Sequence, residues 1–171
     1  MQSGCKASVC HLICNFEAKI QAYMARLRLE IPESLSFETV IPIRVTDLNY
    51  GGHLGNDALL SLMHEARMQF LAQHGFTELD AGGASFIMGD CAIVYKAEGF
   101  YGQKLKVQVG AGEYSRVGFD LYYRFLLEDS GKELALAKTG IVTYDYQNRK
   151  VVEVPALLKE KLGDTGVAAN P

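Results

Sequence analysis

The sequence predicts an α+β domain in which one antiparallel sheet packs against a single long helix. Three observations carry this. An unbroken helical pattern runs from about Asn56 to His74. Residues 104–111 and 116–127 each place apolar side chains at every second position. The order is one strand, the helix, then four long strands joined by tight connections.

Taken in order, residues 36–45 read as the first strand, with Phe37, Thr39, Ile41, Ile43 and Val45 on one face. Pro42 removes a backbone donor, which places this strand at an edge or at a bulge. In the helix, Leu59, Leu62, Met63, Ala66 and Phe70 follow helical spacing and should face the core. Leu60 and Leu71 widen that surface, whereas Asp57, Ser61, Glu65 and Gln69 form a polar stripe. Gly75 is a natural stop, followed by a loop over 77–84.

Residues 86–96 form a mostly apolar run. Leu105, Val107, Val109 and Ala111 then share a face, as do Val117, Phe119, Leu121, Tyr123, Phe125 and Leu127. Asp129, Ser130 and Gly131 mark the hairpin into a strand over 133–146. Pro155 opens a short helix through about Leu162, and the tail 163–171 is expected to be flexible.

Composition narrows the function. The 171 residues suffice for one domain with a substantial core, and 49% hydrophobic with 22% charged residues reads as an ordinary globular protein. A net charge of −3 without a long basic run gives nucleic-acid binding no electrostatic support. No segment approaches the ~20 apolar residues of a membrane helix. Cys5, Cys10 and Cys14 cluster around His11, but without a C-x-x-C pair or a second ligand group, so no metal site is expected. Cysteine usage fits a reducing cytoplasm. Residues 1–23 differ in composition from the rest and make a poor signal peptide; Met24 begins a plausible start, MARLRLEIPES. Residues 1–35 are therefore expected to be an N-terminal extension, partly non-native or flexible, ahead of a domain over 36–162.

The stretch most suggestive of chemistry is RVTDLNYGGHLGNDALLSLMHEARMQF, residues 44–70. It gathers Asp47, Asn49 and His53 around Gly51 and Gly52, immediately before the helix. Glycine lets backbone approach a ligand closely, and a helix start offers unpaired N–H groups to a negatively charged oxygen. The alternative is an ordinary turn, in which Asn56 or Asp57 caps the helix.

Together these parts resemble the acyl-CoA thioesterases of the hotdog fold, in particular the 4-hydroxybenzoyl-CoA thioesterase-like group. The resemblance spans roughly residues 36–162 and rests on DLNYGGHLGND after the first strand, LLSLMHEARMQFLAQHGF on the helix, VYKAEGFYGQKLKV, and AKTGIVTYDYQNRKVVEVPALLKEKL. It implies an antiparallel sheet wrapped around one long central helix. It also implies a homodimer or homotetramer with acyl-CoA sites between subunits, and no cofactor. Many relatives carry D-x-D before the glycine, the second carboxylate acting as nucleophile or base; here that position is Asn49, and an amide is no base near neutral pH. The plant acyl-carrier-protein thioesterases are similar through a His that matches His53, although their intervening Asn is Gly51 here.

The expected catalytic set is Asp47, Asn49, His53 and Glu65, with Tyr50, Gly51, Gly52, Gly55 and Asn56 binding substrate. Asp47 or Glu65 would activate water with help from His53, and N–H groups between Gly52 and Gly55 would bind the oxyanion. Each has a structural alternative: a turn carboxylate for Asp47, a turn amide for Asn49, a structural donor for His53. For Glu65 it is a salt bridge to Arg67 or Arg124, or a place at a dimer interface. Two other functions compete with hydrolysis. One is a hydratase or dehydratase, whose D-x-N-x-x-H pattern differs from D-x-N-x-x-x-H here by one residue. The other is an acyl-thioester-binding module without catalysis.

Overall fold

Apolar residues at every second position put one face of each strand into the core, and the sheet forms where that face finds a helix to cover it. The computed structural model describes residues 27–166. Strand β1 (Phe37–Pro42) leads through a 3-10 turn at Val45–Asp47 to helix α1 (Asn56–Gln73). Strands β2 (Ser85–Tyr95), β3 (Lys104–Gly112), β4 (Gly118–Leu127) and β5 (Glu133–Asp145) follow, then the short β6 (Lys150–Val151) and helix α2 (Ala156–Leu162). The order across the sheet is β1-β3-β4-β5-β2, with every pairing antiparallel and β6 added to β5. The expectations for residues 1–23, including Cys5, Cys10, Cys14 and His11, lie outside the described residues.

The predicted faces are the buried faces. Leu105, Val107, Val109 and Ala111 of β3 are fully buried, and so are Leu121, Tyr123 and Phe125 of β4. Against them α1 packs Leu59, Leu62, Met63, Ala66, Phe70 and Leu71. Each large apolar side chain removed from water in this way contributes roughly 1.5–3 kcal/mol. Leu60 does not join them; it stays partly exposed because it sits on the solvent side of the helix. Val45 is also exposed, since the chain leaves β1 at Pro42 and turns before reaching it. Pro42 pairs with Lys104 at the end of an edge strand, as its missing donor requires.

β2 is the other edge. Its ladder with β5 slips between Met88 and Asp90, so Gly89 is an extra residue there. Its middle stretch is exposed, including Cys91. Gly75, at φ +77°, ends α1 by donating to the Ala72 carbonyl at 3.0 Å. After α2, Thr165 returns to the sheet, its N–H and Oγ1 donating to the Ala111 carbonyl at 2.8 and 2.9 Å. Among the described residues, no helix is long and apolar enough to cross a membrane.

Candidate active site

The chain between β1 and α1 folds on itself by saturating its own polar groups. Asp47 is 6% exposed. Its carboxylate accepts the Arg44 backbone N–H at 2.7 Å and the Arg44 guanidinium at 3.2 and 3.3 Å. Asn49 uses its side-chain oxygen in the same way, accepting the N–H groups of Gly51 at 2.8 Å and His53 at 3.3 Å. Its backbone N–H donates to the His53 carbonyl at 2.8 Å, which closes the turn. Gly52 takes φ +78°, a backbone shape that only glycine adopts without strain. Gly51 is needed for space: a Cβ there would stand 3.2 Å from both Asn49 Oδ1 and the His53 ring. Tyr50, at the tip, is fully exposed.

A second segment docks on this turn. Leu54 donates its N–H to the Gly99 carbonyl at 2.8 Å, and His53 forms a β-bridge with Phe100. The His53 and Phe100 rings lie 5.2 Å apart. Glu98 is thereby brought to the imidazole, its Oε1 standing 3.4 Å from Nδ1. The pair is close enough for a charge interaction but not aligned as a hydrogen bond, so Nδ1 is buried without a hydrogen-bond partner.

These segments frame an open cleft of about 280 Å³, lined by Asn49, His53, Leu54, Asn56, Tyr95, Ala97, Glu98, Gly99 and Leu134. The start of α1 faces it through Asn56. The N-cap is Gly55, and no side chain caps the helix, so the alternative in which Asn56 or Asp57 caps it does not hold. The first helical bond runs from Leu59 N–H to the Gly55 carbonyl, so the N–H groups of Asn56, Asp57 and Ala58 have no partner among the described residues. Oxyanion donors had been expected between Gly52 and Gly55. Those amides are all used inside the loop: Gly52 on the Asn49 carbonyl, His53 on Asn49 Oδ1, Leu54 on Gly99 and Gly55 on the Asp47 carbonyl. The free donors begin one residue later. Tyr95 Oη donates to the Asn56 carbonyl at 3.3 Å. Burial, with Cys91 and Asp57 nearby, pushes this phenol above its ordinary pKa, so it remains a neutral donor.

Of the expected residues, the structure gathers Asn49, His53 and Asn56 around one cleft, with Gly51, Gly52 and Gly55 in the loop behind it. Asp47 braces that loop from beneath. Glu65 is elsewhere. It lies nine residues along α1 from Asn56, roughly 13 Å of helix rise, and lines a different groove with Val40, Ile41, Pro42, Arg44 and Gln69. Its Oε1 accepts Gln69 Nε2 at 2.7 Å, and it forms no ion pair with Arg67 or Arg124. Arg67 pairs with Glu78, and Arg124 with Glu133. Glu98 was missed, and Tyr95 reads from the sequence only as a packing residue with a satisfied polar tip. No spacing in the sequence marks them, because the β2–β3 connection reaches the turn only through tertiary pairing. No group of three or more His, Cys, Asp or Glu among the described residues is arranged to hold a metal ion.

Residues 43–162 match the family model of the thioesterase-like superfamily. Solved structures share the fold at low identity. A 1,4-dihydroxy-2-naphthoyl-CoA thioesterase from Synechocystis superposes with a TM-score of 0.67 at 20% identity, covering 74% of this chain and 94% of that one. A DHNA-CoA thioesterase from Staphylococcus aureus gives 0.62 at 22% identity, covering 68% and 78%. A member of the thioesterase superfamily from Jannaschia sp. CCS1 gives 0.70 at 17% identity, covering 81% and 89%. No curated protein matches the sequence significantly.

Proposed function

The chain belongs to the thioesterase-like superfamily, and from that premise we propose that it hydrolyses an acyl-CoA thioester to the free acid and CoA, on a hotdog fold whose sheet curls around α1 as its central helix. The observation that carries this is the uncapped start of α1, whose first residue, Asn56, lines a cleft that also holds an imidazole, its first-turn N–H groups having no partner among the described residues. The thioester carbonyl oxygen sits on the N–H groups of the first turn, where the helix dipole favours developing negative charge. Water on the open side attacks the carbonyl carbon. His53 takes the water proton through Nε2 and returns it to the departing CoA sulfur as the tetrahedral intermediate collapses. Asn49 holds the His53 backbone in place, and Asp47 fixes the loop through Arg44 and Gly55.

The working unit is a homodimer, or a pair of dimers, in the cytoplasm. β2 is an unpaired edge with an exposed middle, and pairing with its twin over Phe86–Val94 would cover it. Light scattering should give at least a dimer; a stable monomer at micromolar concentration refutes this assembly.

A thiol-release assay over aliphatic, aromatic and hydroxy-aromatic acyl-CoAs tests the activity. Release from at least one class is expected, lowered by roughly 10²-fold or more, with a measurable remainder, in His53→Ala. A second reading has one observation in its favour: Asn49 replaces the usual carboxylate and Asp47 is engaged with Arg44. The protein would then bind acyl thioesters without cleaving them. Saturable acyl-CoA binding with no thiol release across the panel selects that reading. Absorbance loss with an enoyl-CoA would instead select hydration.

A further inference from the structure

We propose that Glu98 is the positioning residue of this site: it holds the His53 imidazole with the proton on Nδ1 and so presents Nε2, as acceptor, to the cleft. This rests on the thioesterase reading for its chemistry, but not for its geometry. His53 Nδ1 is buried and has no hydrogen-bond partner among the described residues, a costly state for a ring nitrogen that one neighbouring acceptor would relieve. Glu98 Oε1 is that neighbour, at 3.4 Å. Its side chain is 69% exposed and makes no other ion pair among the described residues, so a modest rotation brings it into line without breaking a contact.

The backbone on both sides is already pinned. Leu54 N–H on the Gly99 carbonyl and the bridge between His53 and Phe100 fix Glu98 relative to the ring, and Phe100 packs on the imidazole. Other acceptors in the turn are committed. Both Asp47 oxygens serve Arg44, and Asn49 Oδ1 serves two backbone N–H groups. Glu98 is thus the free carboxylate within reach of Nδ1 among the described residues. A neutral imidazole has one donor and one acceptor nitrogen, and the bond made by one fixes the role of the other. An acceptor on Nδ1 therefore makes Nε2 the base, whereas a ring left to itself prefers the proton on Nε2, where it cannot take one from water.

The test uses the intact protein labelled with ¹⁵N-histidine. Long-range ¹H–¹⁵N spectra at alkaline pH should show His53 mainly as the Nδ1–H tautomer. Glu98→Ala should move it towards Nε2–H, and Glu98→Gln, which keeps an acceptor oxygen, should restore much of the original pattern. In the thiol-release assay, Glu98→Ala should lower kcat by roughly 10- to 100-fold, less than the roughly 10²- to 10⁴-fold that loss of the base itself removes, with KM changed far less. The same substitution in a His53→Ala background should cost nothing more. An unchanged His53 tautomer in Glu98→Ala overturns the proposal, and so does an equal loss in the His53→Ala background. If the parent releases no thiol from any acyl-CoA, the functional reading fails, while the tautomer spectra still decide the role of Glu98.

Discussion

Asp47→Ala and Asp47→Asn separate a brace from a base. In the structure the carboxylate is buried and accepts the Arg44 N–H at 2.7 Å, with the exposed Arg44 guanidinium closing over it. A hydrogen bond to a charged group contributes about 1.5–3 kcal/mol. The guanidinium, largely in solvent, adds only about 0.2–1 kcal/mol. Alanine removes both and leaves the Arg44 N–H without its acceptor, so Asp47→Ala should lose about 2–3 kcal/mol of stability. Asparagine keeps one acceptor oxygen and loses the charge, so about 1 kcal/mol should go. With a urea slope of about 1–3 kcal/mol per molar, the alanine variant's midpoint should fall by roughly 1 M or more and the asparagine variant's by about half that. Urea unfolding followed by fluorescence or circular dichroism measures this, and thiol release on the same preparations measures turnover. Asp47→Asn should keep kcat within a few-fold of the parent. A variant with unchanged stability and a kcat lowered by about 10²-fold or more would show that Asp47 is the base after all and that the brace argument is wrong.

Three further outcomes are expected. His74 has a buried, unpartnered Nε2, and burial together with Lys161 lowers its pKa; the folded state therefore favours the neutral ring, stability is full above the unfolded value near 6.5 and falls as pH drops below it, and His74→Phe should flatten the denaturation midpoint between neutral and mildly acid pH. Gly118→Ala should be strongly destabilising, since its Cβ would stand 2.3 Å from the Ile141 backbone oxygen; normal expression with a parent-like melting curve would contradict the packing. Cys91→Ser should leave turnover intact, because partial desolvation of the sulfur against the sheet and the charge of Asp90 raise the thiol above its ordinary pKa and leave little thiolate to act as nucleophile; loss of thiol release in the folded variant would revive a cysteine mechanism.

The sheet and α1 were legible because their signal is local: alternation and helical spacing are set by residues two to four apart, and burial follows them at Leu105–Ala111 and Leu59–Phe70. The turn was legible as a cluster, but its internal assignment was not. Sequence says that Asp47 and Asn49 favour turns; it does not say that their oxygens will be consumed by Arg44, Gly51 and His53, which is what moves the free amides to Asn56 and beyond. Glu65 is a different case. A carboxylate on a mostly apolar helix suggested a site, yet the polar stripe it belongs to faces the groove beside β1. Glu98 was out of reach altogether, since what brings it to His53 is a bridge between segments far apart in the chain.

The path of the chain through the sheet also sets the order in which it can assemble. β3, β4 and β5 are successive hairpins, Leu105 facing Leu127 and Gly118 facing Val142, so their pairings close short loops. The two edges are different. β1 must find β3 across α1 and β2, Phe37 meeting Val109, and β2 must find β5 across two intervening strands, Ser85 meeting Tyr144. Loop-closure entropy grows with the span, so the central three strands form the natural nucleus and the edges zip on afterwards. The segments that build the cleft, between β1 and α1 and between β2 and β3, are tied to those late edges. During synthesis or refolding the turn that lines the cleft is therefore among the last parts to find its partner. Until β2 has found β5, its open backbone is available to any neighbouring chain, so this stretch is the one most exposed to aggregation during folding.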